Sequence, residues 1–168
     1  MIAGIFTAGC TYVSFQQIER NNANGHAAMT AKQVIYELEN GKSLQEALPV
    51  DTNISTTITP FVFVYDNNKN LVASSSDNSD IVYPNSCLEQ IDKTGENRVT
   101  WQPEKGLRFA TVGIKYKNGY VIGAYSLSES ENTTSHFTIT LLIGCILYAA
   151  LYAILLLIYY WIIKIKKK

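Results

Sequence analysis

Arg108 can hold a carboxylate through a two-pronged hydrogen bond. Tyr65, Tyr83, Trp101, Tyr116 and Tyr125 supply flat rings against which a bound molecule can pack. A binding pocket needs this combination, mostly apolar walls with a few placed polar groups. Each residue also has a plainer use. Aromatic residues on strands are core residues more often than ligand contacts, and Arg108 can equally pair with Glu96 or Glu104 at the surface.

Other chemistry is poorly provided for. The chain has no Gly-rich phosphate loop, no H-E-x-x-H and no G-x-S-x-G. It is therefore read as a binding module and not as an enzyme, with no cofactor expected. The three cysteines make no disulfide framework: Cys10 and Cys145 lie in apolar segments, leaving Cys87 alone. A buried free thiol and a bond between chains are the two readings of Cys87. Neither the cysteines nor His26 and His136 have the spacing of metal ligands.

The elements that would position these residues are legible from pattern. Ala28, Ala31, Val34, Ile35 and Leu38 recur at helical spacing, and Gly41 is a natural stop. S-L-Q-E at 43–46 has the form of a capping box. Pro60 to Tyr65 is aromatic and β-branched, a buried strand. A polar turn at 66–70 joins it to a second strand, 71–74. Asn85 or Ser86 is expected to cap a helix through Leu88 and Ile91, ended by Gly95. Further strands are expected at 98–102, 108–116 and 120–127. Pro103 to Gly106 forms the first of their turns. Asn118-Gly119 reads as the centre of the second, because two-residue hairpin loops favour positive φ at both positions. On the strand from Arg108, Ala110, Val112, Ile114 and Tyr116 share the cleaner apolar face, which should pack on the helices. Arg108 shares that parity at the strand's end. The expected architecture is α+β: five antiparallel strands with helices on one face.

Charge and hydropathy set this domain, residues 16–128, in a membrane context. Residues 137–163 contain no charge, enough for a bilayer core that needs about 20 apolar residues. Lysines follow at 164 and 166–168, with Tyr159, Tyr160 and Trp161 just before them as an interfacial belt. All 14 acidic residues lie between Glu19 and Glu131 beside ten basic ones, leaving −4 there against +4 in the tail. Lys-rich segments stay cytoplasmic. The tail (164–168) is therefore expected inside and the acidic domain outside the cytoplasmic membrane, where nucleic-acid binding is disfavoured. Residues 1–15 are also uncharged. They read either as the outer part of a first transmembrane helix or as a signal segment with Thr7–Cys10 as processing site, although the basic n-region is missing. Cys145, Ala149 and Ala153, with Gly4 and Ala8, form small-residue stripes suited to helix packing, within the chain, with a second copy or with another membrane protein.

The succession of long helix, two strands, short helix and three strands between apolar ends resembles the PAS-like, or single Cache, sensor domains of bacterial membrane receptors. Thr59 to Asp66, Val72 to Ser75, Gly95 to Arg98, Thr100 to Pro103 and Gly106 to Arg108 resemble, more closely, a family of small uncharacterised bacterial membrane proteins with two flanking helices. The resemblance implies a ligand position between the sheet and the segment after the second strand, with Tyr65, Tyr83, Trp101, Arg108, Tyr116 and Tyr125 in or beside it. It implies a sensory module with no output domain of its own, acting through a partner's membrane helices or through oligomerisation. A structural or assembly role in the envelope, with no small ligand, is the alternative.

Overall fold

A computed structural model describes residues 2–50, 53–54, 57–77 and 81–166, with the backbone alone for 2–5 and 129–131. Lys167 and Lys168 of the basic tail lie outside these. The elements are α1 (Ile2–Glu39), α2 (Leu44–Ala47), β1 (Phe61–Asp66), β2 (Leu71–Ser74), α3 (Asn85–Thr94), β3 (Glu96–Glu104), β4 (Leu107–Tyr116), β5 (Gly119–Ser126) and α4 (Ser128–Lys166). The chain divides into two compact units, 18–130 and the helical segments on either side of it.

In unit 18–130 all strands pair antiparallel in one sheet of order β2-β1-β5-β4-β3. Helices cover both faces, not one as the sequence suggests. The face carrying Val62, Val64, Ala110, Val112 and Val121 packs on Ala23, Ala27, Ala28, Ala31 and Val34 of α1. The opposite face carries Phe61, Phe63, Tyr65, Trp101, Phe109 and Ile122. It is covered by Leu88 and Ile91 of α3 and by Ile81 and Tyr83. The α1 contact is close because it is made of alanines and a glycine. A Cβ built on Gly123 of β5 would stand 2.0 Å from the Ala27 carbonyl oxygen.

Local chemistry sets the element ends. Glu46 reaches back to Ser43, its Oε2 accepting from the backbone N–H at 3.0 Å and from Oγ at 2.8 Å. Gly95 ends α3 at φ 80°, as the sequence indicates, but the residue before α3 is Pro84, with no side-chain cap. Proline is at home there because it has no N–H to leave unsatisfied. The β4–β5 turn also differs from expectation. Tyr116 pairs with Gly119, so the two loop residues are Lys117 and Asn118, and neither has positive φ. Gly119 is instead required by its own φ of 149° and by the Tyr65 carbonyl oxygen, 2.0 Å from where a Cβ would be. β3 runs past its predicted end through Pro103 to Glu104. A proline is tolerated because β3 is an edge strand.

The other unit contains the first part of α1 and most of α4. Phe15 stacks on Phe137 with ring centroids 4.4 Å apart. Half-buried residues at 8, 12 and 15 of α1 and at 134, 137, 138 and 141 of α4 follow helical spacing on either side of that stack. Beyond Leu141, α4 is exposed on every side, from Leu142 through Ile165. Among the described residues, Asn132–Lys166 is the one helix long and apolar enough to cross a membrane.

Candidate ligand-binding site

The sheet face under α3 holds a cluster of seven rings, Tyr120 of β5 among them. Period-2 alternation along β1 puts Phe61, Phe63 and Tyr65 on it. β3 and β4 add Trp101 and Phe109, which are register partners. Another ring, Tyr83, comes from the strap of residues 81–84 that leads into α3. Phe61 meets Phe109 edge-on at 5.0 Å, Phe63 meets Trp101 at 5.8 Å, and Tyr83 meets Trp101 at 5.5 Å and 77°. These are the edge-to-face arrangements that aromatic quadrupoles favour. Tyr65, Tyr83 and Trp101 are 1%, 0% and 8% exposed, so their own neighbours fill the space around them.

Polar groups cross this apolar chamber in one short chain. The Tyr83 backbone N–H donates to the Tyr65 hydroxyl at 2.9 Å. Thr111, fully buried beneath the rings, donates its hydroxyl proton to the Val99 carbonyl at 3.0 Å. A threonine hydroxyl has one proton. The 3.1 Å contact between Tyr83 Oη and Thr111 Oγ1 must therefore be donated by Tyr83. Burial pushes both phenols above their ordinary pKa, Tyr83 the further, because a phenolate would lose its hydration there.

A second polar group closes one end of the same layer. Asp92 of α3 accepts from Lys115 Nζ at 2.7 Å and from the Tyr120 hydroxyl at 2.6 Å, and Lys69 Nζ stands 3.3 Å away. These donors hold the Asp92 carboxyl well below the usual carboxylate range, the Lys115 bond contributing most. The carboxylate in turn holds the buried Tyr120 phenol up at about 12. Lys69 reaches this site from the β1–β2 turn with φ 66°, a left-handed conformation that β-carbons disfavour. The tetrad ties that turn, α3, β4 and β5 together.

The six residues singled out by sequence divide between the two faces. Tyr65, Tyr83 and Trp101 share the ring cluster. Tyr125 lies on the α1 face, stacked on His26 at 4.9 Å among Ala23, Ala27, Ala28, Ala110 and Val112. Tyr116 is half-buried near Val34 and Val64 on that same face. Arg108 is exposed, and its carbonyl accepts from Leu127 N–H at 2.9 Å. Glu96, one of its possible partners, is paired with Arg98 at 2.6 Å. Cys87 is a half-buried free thiol packed against the ring cluster. Sequence reasoning missed Phe61, Phe63, Phe109 and Thr111, although the period-2 pattern of β1 and the shared parity of 109 and 111 carry that signal. It also missed the Asp92 tetrad, whose members are brought together only by the sheet order. Among the described residues, no three His, Cys, Asp or Glu side chains cluster as metal ligands would. Comparisons of the chain with protein-family models, with curated proteins and with solved structures gave no match.

Proposed function

We propose that this protein is a membrane-anchored, extracytoplasmic sensory or binding module of the PAS-like, single Cache type. The observation that carries the reading is α4, which presents large apolar side chains on all sides from Leu142 to Ile165. In water such a surface is unfavourable by about 25 cal/mol per Å²; in hydrocarbon it is at home. The lysines at its end favour a cytoplasmic C-terminus, with the acidic domain outside. The apolar start of α1 serves as the second membrane contact, held to α4 around Phe15 and Phe137.

The link from domain to membrane supports a sensory role. β5, central in the sheet, passes into α4 through Leu127 alone, and Leu127 is buried with its N–H bound to Arg108. Signal would pass onward through a partner's helices or through a second copy. The filled ring cluster favours a second reading, an envelope assembly role with no small ligand.

Orientation is tested by cysteine labelling in intact cells with a membrane-impermeant maleimide. Lys105→Cys and Lys166→Cys are placed in a chain whose own cysteines are replaced by serine. Labelling at 105 alone is expected, and labelling at 166 alone would reverse the topology. The ligand arm is a thermal-shift screen over a metabolite panel, wild type against Trp101→Leu. A shift seen only in the wild type supports sensing at the ring face; no shift with any compound, together with a membrane partner in pull-downs, supports assembly.

A further inference from the structure

We infer that Tyr83 is an internal occupant of the ring chamber, and that the external molecules able to take its place are phenols, single flat rings whose hydroxyl donates to Thr111. This rests on reading the ring face as the ligand position and adds the chemical class that the face selects.

Three observations converge. First, Tyr83 is the one ring of the cluster that does not stand on a strand. Phe61, Phe63, Tyr65, Trp101 and Phe109 are fixed by ladder pairing along β1, β3 and β4. The backbone N–H of Tyr83 is held instead by a side chain, the Tyr65 hydroxyl. Segments with few ladder bonds open locally at lower cost than strands do. Second, the chamber that Tyr83 enters is complementary to a ring: Trp101 meets it edge-on at 5.5 Å, and it leaves no exposed surface. Third, the polar group at the bottom offers an acceptor. With its proton on Val99, Thr111 accepts from the hydroxyl that occupies the chamber. An ether, ketone or nitro oxygen could bond Thr111 only by drawing its proton away from Val99. A carboxylate would do the same and would bring a charge among apolar rings, an arrangement disfavoured without a partner. When the strap moves out with its ring, the Tyr65 hydroxyl loses the Tyr83 backbone N–H and becomes a second polar group on the wall.

The wild-type protein thus carries its own competitor. Apparent affinity for an external phenol is reduced by the fraction of molecules in which the strap is open. Removing the Tyr83 ring abolishes that competition.

The test uses the full chain in detergent with 4-methylphenol (the side chain of tyrosine as a free molecule), 4-methylanisole and toluene. Each compound is compared between proteins at equal concentration, so that partition into micelles cancels. Tyr83→Ala is expected to melt below the wild type and to recover saturably with 4-methylphenol. That compound should bind it at least about tenfold more tightly than 4-methylanisole or toluene, and at least about tenfold more tightly than it binds wild type. Thr111→Val in the Tyr83→Ala background should erase the preference for the phenol. In the wild type, saturating 4-methylphenol should speed amide exchange at Ile81 to Tyr83. Tyr83→Leu serves if the alanine variant does not fold. The inference is overturned if a folded variant shows no saturable response, if 4-methylanisole matches 4-methylphenol, or if the wild type shows no phenol-dependent exchange at the strap. If another compound shifts the wild type through Trp101 while the phenol does none of these things, sensing at this face stands and the phenol class falls.

Discussion

Gly123→Ala tests the closest helix–sheet contact in the domain. The added methyl would lie 2.0 Å from the Ala27 carbonyl oxygen, 2.9 Å from its carbonyl carbon and 3.2 Å from Ala31 Cβ. An ordinary C···O contact needs about 3.3 Å, so α1 and β5 must separate by roughly 1.3 Å. A gap of 0.5–1 Å already forfeits about a quarter to a half of each dispersion contact, and the whole alanine seam from Ala23 to Ala31 is affected. The cost belongs at the top of the range for overpacking, about 3 kcal/mol. For a unit of about 110 residues, an unfolding entropy of roughly 2.1 cal/mol/K per residue converts this to a fall in Tm of about 13 °C. Ala31→Gly should not rescue it, because the principal clash is with backbone. Gly25 provides the opposite sign. It sits inside α1 with nothing within 4 Å of a built Cβ, so Gly25→Ala should stabilise by about 0.5–1 kcal/mol, roughly 2–4 °C. The assay is thermal unfolding followed by Trp101 fluorescence in a Trp161→Phe background, which leaves one tryptophan, in the core. A Gly123→Ala variant melting within about 3 °C of its parent would refute the close-contact argument, and so would equal effects at the two glycines.

The tetrad predicts a pH dependence at both ends of the scale. The carboxyl of Asp92 is lowered in the fold, so its stabilisation is present above the unfolded pKa near 3.9 and is lost as pH falls; Asp92→Asn should narrow the stability gap to wild type below about pH 4. Tyr120 is raised to about 12, so its contribution is full below the unfolded value near 10 and is lost as pH rises through 12; denaturant unfolding of Tyr120→Phe from pH 9 to 12 should show the flatter profile. Within the chamber, Tyr83→Phe removes one hydrogen bond and should cost about 1 kcal/mol. Thr111→Val strands both the Tyr83 hydroxyl and the bond to Val99, so it should cost more, about 2–4 kcal/mol; urea titration orders the two. In α4, Leu151→Lys places a charge near the middle of the apolar run, at about 2.5–3.5 kcal/mol against insertion, and should shift the protein out of the membrane fraction on cell lysis.

How much of this fold is legible in the sequence depends on how loudly each buried residue speaks. The long helix is marked by Ala28, Ala31, Val34, Ile35 and Leu38, but Ala23 and Ala27, also buried, carry almost no hydropathy signal. They are alanines because the sheet comes within touching distance there, a property of the partner surface and not of the helix. The same reason hides the second covered face. Along β4, the parity of Phe109, Thr111, Gly113 and Lys115 looks half polar and therefore outward. Yet Thr111 is fully buried, and a Cβ on Gly113 would lie 2.2 Å from Ile91 Cδ1. Gly113 is empty so that α3 can dock, and Thr111 is polar so that one hydroxyl can accept the Tyr83 hydrogen bond.

The candidate site follows the same logic. Its residue types are plain in the sequence; their partition is not. Tyr65, Trp101 and Tyr116 all read as aromatic positions on strands, and only register separates the first two from the third, because one residue of slip moves a side chain to the other face. Tyr83 has no strand to give it a parity at all. Its place comes from two hydrogen bonds to residues 18 and 28 positions away in sequence. A ring whose burial depends on two such bonds is chemically part of the chamber but topologically separate from it. That separation is why no parity rule along a strand could place Tyr83 in the chamber from the sequence.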